Sequence, residues 1–99
     1  MQNLTIQRGE FGEILAYSKG NITFTLVNSI TYKKKGEKVR EYTTHICKAY
    51  GENAEKVKNT AKMKSSVVVT GSYIDSHYKR KTDGKFAQQK HINCVSVVI

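Results

Sequence analysis

Proline is absent from these 99 residues, and the chain holds only two cysteines and eight carboxylates. There is no low-complexity stretch and no internal repeat, so glycine does the punctuating. No run of about 18 apolar residues occurs, which excludes a transmembrane helix. The opening ten residues lack the apolar segment of a secretory signal. Cys47 and Cys94 are too few and too far apart for a disulfide framework. Both read as reduced, small apolar residues of a cytoplasmic protein. His45, His77 and His91 do not join them at the short paired spacings that zinc ligands use, so no metal and no cofactor is expected. The carboxylates are scattered among lysines and no nucleophile motif appears, which argues against an enzyme.

Basic residues are what the chain has in abundance: 17 Lys and Arg give a formal net charge of +9. Hydrophobic residues make up 38%, enough for one small core and hence a single domain spanning 1–99. The charge falls in two clusters. One runs Tyr32, Lys33, Lys34, Lys35, Gly36, Glu37, Lys38, Val39, Arg40; the other runs His77, Tyr78, Lys79, Arg80, Lys81, Thr82, Asp83, Gly84, Lys85. Each opens on a tyrosine and contains a glycine. Two solvated, lysine-rich loops would read this way. So would two arms that hold a phosphate backbone while a tyrosine stacks on a base. Binding to a membrane surface would place the lysines on one face of an amphipathic helix, and these clusters sit between strand-like segments instead.

Residues 3–8 alternate, with Leu4 and Ile6 facing the core and Asn3, Thr5 and Gln7 facing out, as in a half-buried strand. Gly9 and Gly12 allow a bend, and 13–18 continues extended. Lys19-Gly20-Asn21 is a tight turn. Strands are expected at 22–32 and 41–50. Ala54, Val57 and Ala61 then recur at helical spacing, with Asn53 as N-cap and Lys62 and Lys64 at the negative end of the dipole. This short helix is expected to plug an open end of the sheet. Strands at 66–78, interrupted at Gly71, and at 86–99, where His91, Asn93, Val95 and Val97 alternate with Ile92, Cys94, Ser96 and Val98, complete the chain. Five strands with one helix between the third and fourth is the layout of the OB-fold, an all-β Greek-key barrel.

Three stretches carry a family likeness. They are Met1-Gln2-Asn3-Leu4-Thr5-Ile6; Ile46 through Val57; and Val67-Val68-Val69-Thr70-Gly71-Ser72-Tyr73 with Tyr78, Asp83-Gly84 and the last strand. In order and spacing the chain resembles the bacterial and phage single-stranded DNA-binding proteins. That resemblance implies sequence-independent binding of single-stranded DNA, by stacking on aromatics and steering phosphates with Lys and Arg, in replication or recombination. It implies stacking roles for Tyr50, Tyr78 and Tyr32. The family often has a further aromatic in mid strand three, where this chain has Thr44, with Tyr42 nearby. It also implies a homo-oligomer, dimer or tetramer, with the Asn3, Thr5 and Gln7 edge available for pairing. The chain ends on Val97-Val98-Ile99 without the acidic tail that recruits replication and recombination proteins. This favours a phage, plasmid or other mobile-element member, or one like primosomal replication protein N. A helicase-loading accessory working through a protein partner and an RNA-binding OB module are the alternatives.

Strand three has two faces. Tyr42, Thr44, Ile46, Lys48 and Tyr50 share one, and His45, Cys47 and Ala49 the other; a lysine in a small core is costly, so the Lys48 face should be outward. The candidate nucleic-acid-binding set is Tyr32, Lys33, Lys34, Lys35, Lys38, Arg40, Lys48, Tyr50, Tyr73, Tyr78, Lys79, Arg80, Lys81 and Lys85. Tyr50 has an alternative place under the start of the helix, and Tyr73 an alternative place in the core. Phe24, aligned with Ile22 and Leu26, reads as core; Phe11 is undecided; His45 reads as structural.

Overall fold

The extended runs form five strands and one helix in the computed structural model, which describes residues 4–79 and 82–99, with 76–79 and 86–89 by backbone alone. The elements are β1 (Thr5–Ser18), β2 (Asn21–Lys34), β3 (Glu37–Tyr50), α1 (Glu52–Thr60), β4 (Ser66–Lys79) and β5 (Phe86–Val98). They close into a barrel in the order β1-β2-β3-β5-β4, the expected OB-fold with its helix between β3 and β4. Among the described residues no helix is long and apolar enough to cross a membrane.

Closure depends on β1, which is one bent strand rather than two extended pieces. Thr5–Glu10 pairs with β4, and from Glu10 to Ser18 the strand pairs with β2, with register shifts between Phe11 and Ile14 and between Ile14 and Ala16. The bend brings Gly9 against β2 so closely that an added Cβ would stand 2.5 Å from the Val27 carbonyl oxygen. β3 meets β5 in parallel over a short stretch, Cys47 opposite Ile92 and Lys48 opposite Asn93.

The core follows the two-residue period of the strands. Ile22, Phe24 and Leu26 on β2 are fully buried, with Cys47 and Ala49 on β3 and Val67 and Val69 on β4. Phe24 is thus core, as its neighbours implied. Phe11 joins it, the two rings stacking at 5.8 Å between centroids and 23° between planes. Burying one such ring contributes about 1.5–3 kcal/mol. Cys47 and Cys94 are free thiols in this interior. A hydrogen bond with Cys94, together with burial, pushes the Cys47 thiol up and keeps it protonated.

Four local expectations are corrected. Leu4 and Ile6 face solvent at 59% and 70% exposure, while Thr5 and Gln7 are half-buried. The reason is a polar network at that end of the barrel: Gln7 Nε2 donates to Tyr73 Oη at 3.1 Å and to Thr5 Oγ1 at 3.2 Å, and Asn28 Nδ2 donates to Gln7 Oε1 at 3.1 Å. Strict alternation along β5 also fails. Thr70 pairs with Ser96 but Gly71 with Cys94, so Val95 is an extra, exposed residue, and Ile92, Cys94 and Val97 are buried apolar residues, with His91 buried as well. Asn53 is not the N-cap. Gly51 takes that position at φ 61°, and the Asn53 amide donates to the Val95 carbonyl at 3.2 Å, tying α1 to β5. Lys62 and Lys64 lie past the helix end, where Lys58 is the basic residue of the last turn. The plug itself forms as expected, with Ala54 and Val57 buried and Ala61 packed beside them.

Candidate functional site

The outward face of β3 is the one that lysine placement favoured. Cys47 and Ala49 are buried, while Tyr42 and Tyr50 on the other face are 64% and 46% exposed. Tyr50 is therefore not packed under the start of the helix. Antiparallel pairing sets the companions of this face on β2: Thr23 lies opposite Lys48, Thr25 opposite Ile46, Val27 opposite Thr44, Ser29 opposite Tyr42 and Thr31 opposite Arg40. Arg40, Tyr42, Thr44, Ile46, Lys48 and Tyr50 form one row of about 33 Å at the rise of a β-strand.

Two hollows flank that row. One of about 270 Å³ is lined by Lys48 and Tyr50 with Ala16, Ser18, Asn21 and Thr23. The other, about 280 Å³, lies at the far end between Arg40, Tyr42, Val27, Ser29, Glu10 and Lys64. The first sets Tyr50 beside one cation, Lys48, and small polar groups; the second sets Tyr42 beside two cations, Arg40 and Lys64, and one carboxylate, Glu10. Tyr17 borders the first hollow but is committed to the helix. Its hydroxyl donates to Glu55 at 2.8 Å, and Lys58 Nζ lies 5.3 Å from its ring centroid. The hydrogen bond to Glu55 raises its hydroxyl pKa, with burial and the carboxylate charge adding to the effect.

Beyond the barrel β2 and β3 continue as a two-stranded arm, exposed at nearly every position from Ser29 to Lys38. Lys35 and Gly36 turn it with φ of 51° and 82°, the pair of positive angles that suits a two-residue hairpin. Lys33 and Lys38 pair directly, on the same face as Arg40. Tyr32 is opposite Val39, on the other face from Tyr42 and Tyr50, and its hydroxyl donates to Glu41 Oε1 at 2.7 Å. That hydrogen bond, with some burial, raises its pKa. The structure thus joins Lys33, Lys38 and Arg40 to the Lys48–Tyr50 face and sets Tyr32 apart from it.

The second basic hairpin is only partly in view. The backbone of Tyr78 pairs with Ala87 and that of Lys79 with Phe86, while Arg80 and Lys81, like Asn3, lie outside the described residues. Past them, Lys85 is exposed, and its N–H donates to Asp83 Oδ1 at 3.0 Å beside Gly84 at φ 69°. Tyr73 is neither core nor part of the β3 row. It stands at the polar barrel end, 39% exposed, near His45 and under Lys90. Lys90 stands apart from the glycine-centred charge runs, and Tyr42, though on the Lys48–Tyr50 face, is not in the candidate set. The i, i+2 alternation through Lys48 and Tyr50 is the signal that reaches Tyr42. A wider groove of about 620 Å³ between α1 and the β1–β2 turn is lined by Glu52 and Glu55 as well as Lys19 and Lys56, a mixed charge poorly suited to phosphates.

No family model matches the chain, and no curated protein does. Solved structures do. The small single-stranded DNA-binding protein of Streptomyces coelicolor superposes at a TM-score of 0.73 with 15% identity, over 98% of this chain and 93% of its own. The SSB of Plasmodium falciparum, solved in complex with ssDNA, gives a TM-score of 0.74 and 17% identity over 99% and 94%. At such identity the likeness is one of fold.

Proposed function

We propose that this chain binds single-stranded DNA without sequence preference, along the outward face of β3 and the arm beyond it. The observation that carries this reading is the row from Arg40 to Tyr50, which sets a cation beside an exposed tyrosine at each end, Arg40 with Tyr42 and Lys48 with Tyr50, next to two polar hollows. Tyrosine rings accept any base by stacking, and Lys and Arg take phosphates irrespective of sequence. Lys33, Lys34, Lys35 and Lys38 extend the positive field along the arm, and Tyr78, Lys79, Arg80, Lys81 and Lys85 of the second basic cluster add further contacts. The fold shared with two single-strand binders supports the reading, which places the protein in replication or recombination.

Fluorescence anisotropy with labelled oligo-dT across a salt series tests it. Tyr50→Ala should weaken binding by about 5- to 150-fold, the equivalent of one stacked base at 1–3 kcal/mol, with the salt slope unchanged. Lys48→Ala or Arg40→Ala should each flatten the log–log slope by about 0.7. No complex with oligo-dT at low salt would refute the proposal. Preference for a matched RNA over oligo-dT in competition would favour an RNA module instead.

A homo-oligomer, dimer or tetramer, is part of the proposal. Ile6, Val68 and Val98 fall on one outward face of β1, β4 and β5, with Val68 opposite Val98, and Leu4, Ile6 and Val98 are each more than half exposed. Covering such a face with a second copy removes apolar surface from water. Light scattering should give a multiple of 11.2 kDa, and a monomer at all concentrations would count against it.

A further inference from the structure

Among the described residues β3 and β5 pair at Cys47–Ile92 and Lys48–Asn93. Beside that pairing is a pocket of about 190 Å³ lined by Thr44, His45, Ile46, Tyr73, Lys90, His91 and Ile92. Among its rings, His45 and Tyr73 have centroids 6.3 Å apart and planes tilted by 49°. Lys90 Nζ sits 4.8 Å from the Tyr73 centroid. The hydrogen bond from Gln7 holds the Tyr73 hydroxyl, which fixes the ring. Burial lowers the His45 pKa, so near neutral pH it is an uncharged aromatic ring.

We infer that this pocket takes one nucleobase of the bound single strand, stacked on Tyr73 beside His45, with Lys90 turned to the adjoining phosphate. The inference rests on the single-strand reading of the β3 face. Thr44 and Ile46 belong both to the pocket lining and to the outward row, so a strand lying along the row passes the pocket's opening. Ile46 and Ile92 with the His45 and Tyr73 rings line the pocket beside Thr44, Lys90 and His91, a lining that favours a flat solute with a polar edge. Such walls stack any base and select none. Lys90 over the Tyr73 ring is a cation–π contact of about 0.5–1 kcal/mol at an exposed site. A base displaces it cheaply and puts the ammonium where the sugar–phosphate backbone emerges.

The test compares wild type, Tyr73→Ala, Tyr73→Phe and Lys90→Ala in anisotropy titrations against oligo-dT and an abasic oligomer of equal length. Failure of the wild type to bind oligo-dT would overturn the single-strand reading itself. Given binding, Tyr73→Ala should lose about 5- to 150-fold on oligo-dT and nothing on the abasic strand. Tyr73→Phe, which keeps the ring and loses the contact to Gln7, should bind like wild type. Lys90→Ala should weaken both oligomers and flatten the salt slope by about 0.7. The inference is overturned if Tyr73→Ala weakens both strands alike or neither, or if Tyr73→Phe falls as far as Tyr73→Ala. Circular dichroism monitors folding; should Tyr73→Ala not fold, His45→Ala enters the same comparison with the same two outcomes.

Discussion

Replacing Gly71 with alanine tests the account of how the barrel closes. Gly71 follows the β4–β5 bulge and lies opposite Cys94. An added Cβ there would overlap the Asn93 carbonyl oxygen, and would stand 2.8 Å from the Asn93 carbonyl carbon and 2.9 Å from the Cys94 Cα. All three are backbone atoms, so no side chain can rotate away; β4 and β5 must part. The cost belongs at the upper end of overpacking penalties, about 3 kcal/mol. For a domain of this size that lowers Tm by about 12–24 °C, at 4–8 °C per kcal/mol. Gly20→Ala is the control, since an added Cβ meets nothing within 4 Å and only the φ of 79° opposes it. That costs about 1–2 kcal/mol. Thermal melts followed by circular dichroism at 222 nm measure both. The reasoning is refuted if Gly71→Ala melts within about 4 °C of wild type or above Gly20→Ala.

Burial lowers the pKa of His45, and burial with the Lys48 charge lowers that of His91, against a smaller opposing effect of Asp75. Their stabilising contribution is therefore present above an unfolded value of about 6.5 and lost as pH falls through the folded ones. Melts between pH 7.5 and 5 should show Tm falling, and His45→Gln should lessen the fall; a Tm that rises on acidification contradicts this. The buried thiols Cys47 and Cys94 should resist an aromatic disulfide reagent in the native state and react on unfolding in guanidinium, so rapid native labelling would mean that the barrel opens. Replacing Lys33, Lys34, Lys35 and Lys38 together should flatten the salt dependence of oligo-dT binding by up to about 2.8 and leave Tm nearly unchanged; an unaltered slope would remove the arm from the interface.

Much of the barrel is readable in the residues because β2, β3 and the helix obey simple periods. Ile22, Phe24 and Leu26 alternate cleanly, and Ala54, Val57 and Ala61 mark the helix stripe. The face of β3 follows from one cost, that of burying Lys48. The failures sit where long-range geometry overrides the local period. Leu4 and Ile6 look like core, but Tyr73 and Asn28, distant in sequence, need Gln7 inside. The β5 phase changes at Val95 because of a bulge whose register shift, beside Gly71, is set by pairing with another strand. Asn53 looks like a cap, yet the Val95 carbonyl on β5 claims its amide. Within the candidate site, the tyrosine-led clusters were visible as charge runs, but not that Tyr32 faces away from Tyr50. Nor could a period disclose that His45, Tyr73 and Lys90, from three strands, meet in one pocket.

The most direct measurement is a ¹⁵N–¹H correlation titration of the labelled protein with oligo-dT. The account predicts amide shifts concentrated along Arg40–Tyr50 and the 33–38 arm, with a second set at Tyr73 and Lys90. Shifts confined to α1, or to the outer face of β1, β4 and β5, would contradict it.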